Sequence, residues 1–257
     1  MPFTPTHILA ILPIAALRRS PLPFSALVIG SMIPDLPLFV AIAPEYGITH
    51  SVGGLFTACL PLGLAWFLGF QIVMKRPLFA LLPAAIRRRC ADFSTSCLRG
   101  PKTVIYAAIA VVVGAATHVF WDSFTHEGRW GTRQFPLLNE KVVHVAGHGF
   151  TGSKLLQYGC TTVGLPWLAL LAARWLARQA PGPVETPTLP GAWRAVVILA
   201  ALAAPVAAGA LAWRRFDLPI HDRAFRAVTT SGMVLIVVAT LFCLAFRAVE
   251  GPPPRRG

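Results

Sequence analysis

Acids and imidazoles occur where an apolar chain should exclude them. Asp35 lies in GSMIPDLP, with Pro34 and Pro37 close by. His118, Asp122 and His126 follow one another four residues apart in GAATHVFWDSFTHEG. That spacing puts side chains on one helix face. Two imidazoles and a carboxylate in register are a typical zinc ligand set. His144 and His148 repeat the spacing in HVAGHGF, His50 stands in ITHS, and His7 in PFTPTHIL. Of the 7 histidines, only His221 falls outside this set. Asp35 has two readings. It caps a helix break made by the prolines, which remove backbone donors, or it is an acid kept for chemistry, as ionisable groups inside a membrane are by default.

The elements that must position these groups are membrane helices. Of the 257 residues 55% are hydrophobic and 13% charged, against about 25% charged in a soluble domain. Six apolar segments, 22–43, 52–74, 103–125, 155–177, 193–213 and 226–246, are each long enough to cross about 30 Å of hydrocarbon. They must be helical, because lipid offers free backbone groups no partner. A shorter apolar helix is expected over 3–17, either spanning or half-buried. The expected fold is therefore an all-α, polytopic helical membrane protein with six spans plus that short N-terminal helix. Residues 1–178 form the membrane domain that carries the site. A Pro-rich linker covers 179–192, two anchoring helices occupy 193–246, and the tail 247–257 is expected to be disordered.

The net charge of +13 is clustered. Lys75, Arg76, Arg87, Arg88, Arg89, Arg99 and Lys102 all fall in one inter-helix segment, whereas 44–51 has no Lys or Arg. Beside hydrophobic spans this is the positive-inside pattern, and no reading motif points to nucleic acid. The basic side faces the cytoplasm, and the loops 44–51, 126–154 and 214–225 face outward. The 5 cysteines form no CxxC pair and read as small packing residues. The N-terminus does not read as a cleavable signal, because Arg18 and Arg19 follow its apolar run.

With this topology the polar groups collect at one boundary. Asp35 and His118 lie about eight residues inside their spans, about 12 Å deep. His50, Asp122, His126, His144 and His148 are at or beyond the same outer end, and His7 joins them if 3–17 runs inward. Arg129 and Arg133 share the outer loop with the histidines. They hold an anionic head group, or they anchor at the lipid interface together with Trp130.

The segments MPFTPTHILAILP, IGSMIPDLPLF, THS and GAATHVFWDSFTHEG resemble a bacterial membrane family catalogued as domain of unknown function 4184, closely through residue 177 and more loosely beyond. That family is similar in turn to membrane proteins described as metal-dependent hydrolases. More distantly, the residue order is similar to zinc-dependent phospholipase C and the S1/P1 nucleases, all-helical phosphodiesterases with three zinc ions. This resemblance implies one zinc held by Asp35, His50, His118 and Asp122, with Asp122 bridging towards a zinc near His7. It implies another zinc at His126, His144 and His148, for a total of two or three ions. The chain departs from that pattern in having no N-terminal Trp, which strips ligands from the ion near His7. His148 also stands where that pattern has a carboxylate.

The expected function is metal-dependent hydrolysis of a phosphoester, phospholipid-like substrate at the outer face of the bacterial inner (cytoplasmic) membrane. Asp35 and Asp122 are the catalytic candidates, Asp35 as a ligand that also orients the nucleophile. Arg129 and Arg133 are the substrate-binding candidates, and the partners are the bilayer and a phosphate-containing lipid. The rival is a non-enzymatic membrane protein, either a proton or metal-ion transporter or a scaffold. A transporter would spread polar groups through the depth of several helices.

Overall fold

The structure is a computed structural model. It describes residues 3–17, 20–40, 43–93, 96–145, 148–184 and 189–250; the side chains of Asp92, Val145 and His148 also lie outside the described set. A 3-10 turn, Thr4–His7, runs into α1 (Ile8–Ala15). Next, α2 (Phe24–Met32) continues as a 3-10 segment, Ile33–Leu38. After the one-turn α3 (Tyr46–Thr49) comes α4 (Val52–Leu81), which contains π turns at Leu55–Cys59 and Phe70–Met74. The short α5 (Ala84–Arg89) precedes α6 (Pro101–Thr125) and the short α7 (Trp130–Gln134). A hairpin of β1 (Lys141–Val145) and β2 (His148–Thr151) leads into α8 (Gly152–Arg178), α9 (Gly191–Trp213) and α10 (Ile220–Glu250).

Five of these helices, α4, α6, α8, α9 and α10, are long and apolar enough to cross a membrane. Large apolar side chains such as Trp193, Val206, Leu235 and Leu241 stay exposed on them. Water does not tolerate such continuous apolar surface, but acyl chains do. The chain is an all-α polytopic membrane protein. The expected span at 22–43 is the shorter apolar helix Phe24–Leu38. Pro34 and Pro37 tighten its end into 3-10 geometry, since each lacks the donor an α-helical turn needs. Conversely, α4 runs past the expected end at 74 and takes in Lys75 and Arg76. The 126–154 segment, expected as a loop, contains α7 and the hairpin. Residues 247–250 continue α10, while 251–257 of the expected tail and 185–188 of the expected linker lie outside the described residues.

The chain divides into two compact units. The first comprises 1–37, 43–67 and 98–178. Within it α2 lies directly on α6, and small residues permit the approach. A Cβ on Gly30 would collide with the Val111 backbone, and one on Gly114 with Leu27 and Ser31 backbone atoms. Small residues at crossing points are how membrane helices gain close contact. Ile33, Leu55, Cys59 and Ala115 are packed together beside this crossing.

The second unit comprises 38–42, 68–97 and 179–257. Here α9 and α10 pair along their length, with the Ser231 hydroxyl donating to Pro205 O at 2.8 Å. Arg247 donates to Ile72 O at 2.6 Å, and Arg76 pairs with Glu250 at 2.7 Å.

Candidate metal centre

All of the following lies in the first unit. Asp35 sits in the 3-10 segment after α2 and is fully buried. The Thr49 hydroxyl donates to Pro34 O at 2.7 Å, which ties α3 to that segment and brings His50 inward. His118 and Asp122 share one face of α6, as their spacing requires, and both are buried. The close α2–α6 crossing sets the Ser31 carbonyl beside His118.

His118 Nδ1 donates to Ser31 O at 2.7 Å, and His50 Nδ1 to Tyr46 O at 3.0 Å. A carbonyl only accepts, so each ring carries its proton on Nδ1 and turns a bare Nε2 lone pair inward. The two Nε2 atoms lie 3.3 Å apart. His50 Nε2 is 3.6 Å from Asp35 Oδ1 and 3.5 Å from Asp122 Oδ2. His118 Nε2 is 3.5 Å from each of the same two oxygens. Among the described residues, Asp35 Oδ1 and Asp122 Oδ2 accept no hydrogen bond.

These separations decide what the group is suited to. Charge-assisted N–H···O bonds run about 2.7–2.9 Å, so the observed contacts are too long to be good imidazolium–carboxylate bonds. Ligands about 2.0–2.2 Å from a tetrahedral ion lie roughly 3.3–3.6 Å from one another, which matches the Nε2–Nε2 and Nε2–carboxylate separations. Two carboxylates and two imidazole lone pairs converge in a dry interior, where unpaired charge is expensive. A divalent cation held there would supply the missing positive charge. Asp35, His50, His118 and Asp122 form a buried group that can hold a metal ion.

The second layer is also in place. The Thr4 hydroxyl donates to Asp35 Oδ2 at 2.7 Å, and the Thr125 hydroxyl to Asp122 Oδ1 at 3.3 Å. Such outer partners orient ligands and tune their basicity. His7 stacks on His118, with ring centroids 3.7 Å apart, and its Nε2 lies 3.4 Å from Asp122 Oδ1. His126 Nδ1 donates to Asp122 O at 3.1 Å, and its Nε2 has no hydrogen-bond partner among the described residues. With 20% of its side chain exposed, it is more open than His7, Asp35, His50, His118 or Asp122. Burial holds its pKa below the ordinary imidazole value.

Of the residues singled out in the sequence, the fold brings together His7, Asp35, His50, His118, Asp122 and His126. His144 is exposed on β1, opposite Gly149, and Arg133 is exposed on α7. The side chain of His148 lies outside the described residues. Arg129 donates from Nη1 to His50 O at 3.2 Å and stands 5.8 Å from the Tyr46 ring centre. Tyr46 and Thr4 were not foreseen. Tyr46 stacks on His50 at 3.7 Å, and burial, then the Asp122 and Asp35 carboxylates, keep its phenol protonated well above the ordinary range. Its position four residues before His50 was the one signal in the sequence.

A family model described as "Domain of unknown function (DUF4184)" matches residues 1–248. No curated protein and no solved structure matches the chain.

Proposed function

The chain belongs to the DUF4184 family, and we propose that it is a membrane-embedded, zinc-dependent hydrolase of a phosphoester substrate, acting at the outer face of the bacterial inner membrane. The observation that carries this reading is the four-atom group itself. The two fixed Nε2 atoms lie 3.3 Å apart and 3.5–3.6 Å from the two carboxylate oxygens, and all four atoms lie within 4.8 Å of one another. Two nitrogens and two oxygens are a donor set that suits zinc.

Zinc bound there would supply a Lewis acid for a phosphoryl oxygen and acidify a water towards neutral pH. The rest is done by the chain. Asp35 and Asp122 provide the charge that binds a dication. The Ser31 and Tyr46 carbonyls hold the His118 and His50 rings in one tautomer. Burial of the group excludes bulk water and strengthens the electrostatic interactions inside it. Asp122 also turns Oδ1 towards His7, so a second ion between His7 and Asp122 fits the same reading. His126 is the most exposed member of the group. Arg129, steadied by its bond to His50 O, follows closely on His126 and is suited to an anionic phosphoryl group. The protonated Tyr46 hydroxyl, which has no hydrogen-bond partner among the described residues, can donate to the same anion.

The test is metal content followed by turnover. The protein is purified in mild detergent and analysed for bound elements beside His118→Ala. Zinc should be present in the wild type and lost in the variant. Hydrolysis of a phosphodiester panel should then follow the zinc content. No zinc, or equal zinc in both proteins, sinks the reading.

One observation favours a second reading, a metal-tied scaffold without turnover. Asp35, His50, His118 and Asp122 are each at most 4% exposed, and structural zinc sites are closed whereas catalytic sites keep a position open. Stoichiometric zinc with no hydrolysis of any phosphoester would decide for the scaffold.

A further inference from the structure

An open groove of about 560 Å³ runs along the outside of the first unit, walled by the N-terminal turn and α1, by α6 and by α8. That volume is typical of ligand pockets. Its lining is apolar, from Leu9 on α1 to Val163 and Trp167 on α8, and the last two are 69% and 50% exposed. Two of its lining residues are sequence neighbours of the candidate metal-site residues. Thr6 precedes His7, and Trp121 precedes Asp122. Cys160 on the α8 wall and Trp121 on the α6 wall line the groove together.

The helices forming the walls decide what fills the groove. Both α6 and α8 are long and apolar enough to cross the bilayer, and a helix that crosses it meets acyl chains along its apolar face. The α8 wall is also unobstructed. A Cβ on Gly159 would meet nothing within 4 Å, whereas one on Gly164 would touch Leu9 and Thr6. The groove is therefore roomy at Gly159, and further along α8 the wall closes onto the N-terminal segment.

We infer that this groove is the acyl-chain site of the substrate, which makes the substrate a membrane phospholipid whose tail lies along α8 while its phosphoester reaches the metal centre. The inference rests on the hydrolase reading for the word substrate and on the groove alone for lipid binding. Both parts can be measured.

Gly159→Leu fills the groove from a helical position that accepts Leu well, and Val163→Trp fills it one turn further along. Metal content reports that each variant is folded. Two substrates are compared in mixed micelles, dimyristoyl phosphatidylglycerol and the soluble bis(4-nitrophenyl) phosphate. The ratio of lipid to soluble hydrolysis should fall by roughly tenfold or more in both variants, chiefly through a higher KM for the lipid. In native mass spectrometry with added dimyristoyl phosphatidylglycerol, the wild type should retain one lipid more than either variant. An unchanged ratio together with equal lipid retention overturns the inference. If the wild type hydrolyses neither substrate, the hydrolase reading falls. The groove then stands or falls as a phospholipid site on the retention measurement.

Discussion

At the residue scale, the tautomers matter most. His50 and His118 are each oriented by a backbone carbonyl, so their ligand nitrogens are aimed before any ion arrives. Removing a ligand and removing its support should therefore differ in kind. Asp35→Asn takes away a charge and should reduce bound zinc to background by elemental analysis. Thr4→Val removes only the hydroxyl bonded to Asp35 Oδ2. It should keep the ion but weaken affinity by about 10- to 100-fold, as read by competition with a chromophoric chelator. If Thr4→Val binds as tightly as the wild type, Thr4 does not support the ligand. Tyr46→Phe should retain zinc and lower kcat/KM for a phosphodiester by about tenfold, consistent with a lost hydrogen bond of about 1.4 kcal/mol. Unchanged kinetics would remove Tyr46 from the site.

At the element scale, the α2–α6 crossing sets the site. Gly30 and Gly114 let two backbones touch, and Ser31 O and His118 Nδ1 meet as a result. Gly114→Leu should push the helices apart and cost about 1–3 kcal/mol from overpacking. It should also lower zinc content, although position 114 touches no ligand. A thermal-shift measurement paired with elemental analysis checks both effects. A variant that keeps its full metal complement would mean the crossing has slack. The prolines act at the same scale. Pro34 and Pro37 turn the end of α2 into 3-10 geometry and place Asp35 in a bend instead of along a regular helix. A hydropathy window cannot register this, because proline hardly changes the mean. For that reason the 22–43 segment reads as a full span although its helix ends at Leu38. The β1–β2 hairpin was illegible for a different reason. Two short strands of mixed polarity carry no periodic signal, and their pairing is a contact between segments.

At the scale of the whole molecule, an ion in the proposed site would couple to the fold. An ion that binds only the folded chain stabilises it by about 4 kcal/mol when present at a thousandfold above its Kd. Chelation of the purified protein should therefore lower its unfolding temperature measurably, and zinc should restore it. A chelator-insensitive transition would separate the ion from the fold. Orientation is tested by labelling. With the basic segments inside, Glu127→Cys should react with an impermeant maleimide added to intact cells, and Arg88→Cys only after lysis. The reverse pattern would put the metal centre on the cytoplasmic side.

The sequence by itself determined the solvent and supplied the candidate ligands. Runs of about 20 apolar residues admit only helices in lipid, and acids or imidazoles within such runs are too costly to be incidental. The four-residue step from His118 to Asp122 fixed those two on one helix face, because that relation is local. Tertiary structure decided the rest. It gathered His7, Asp35 and His50 from three separate segments, chose the proton position on each ring, and left His144 and Arg133 exposed. These outcomes depend on which carbonyl lies opposite which nitrogen. Such a relation arises only when distant elements pack, and no spacing along the chain encodes it.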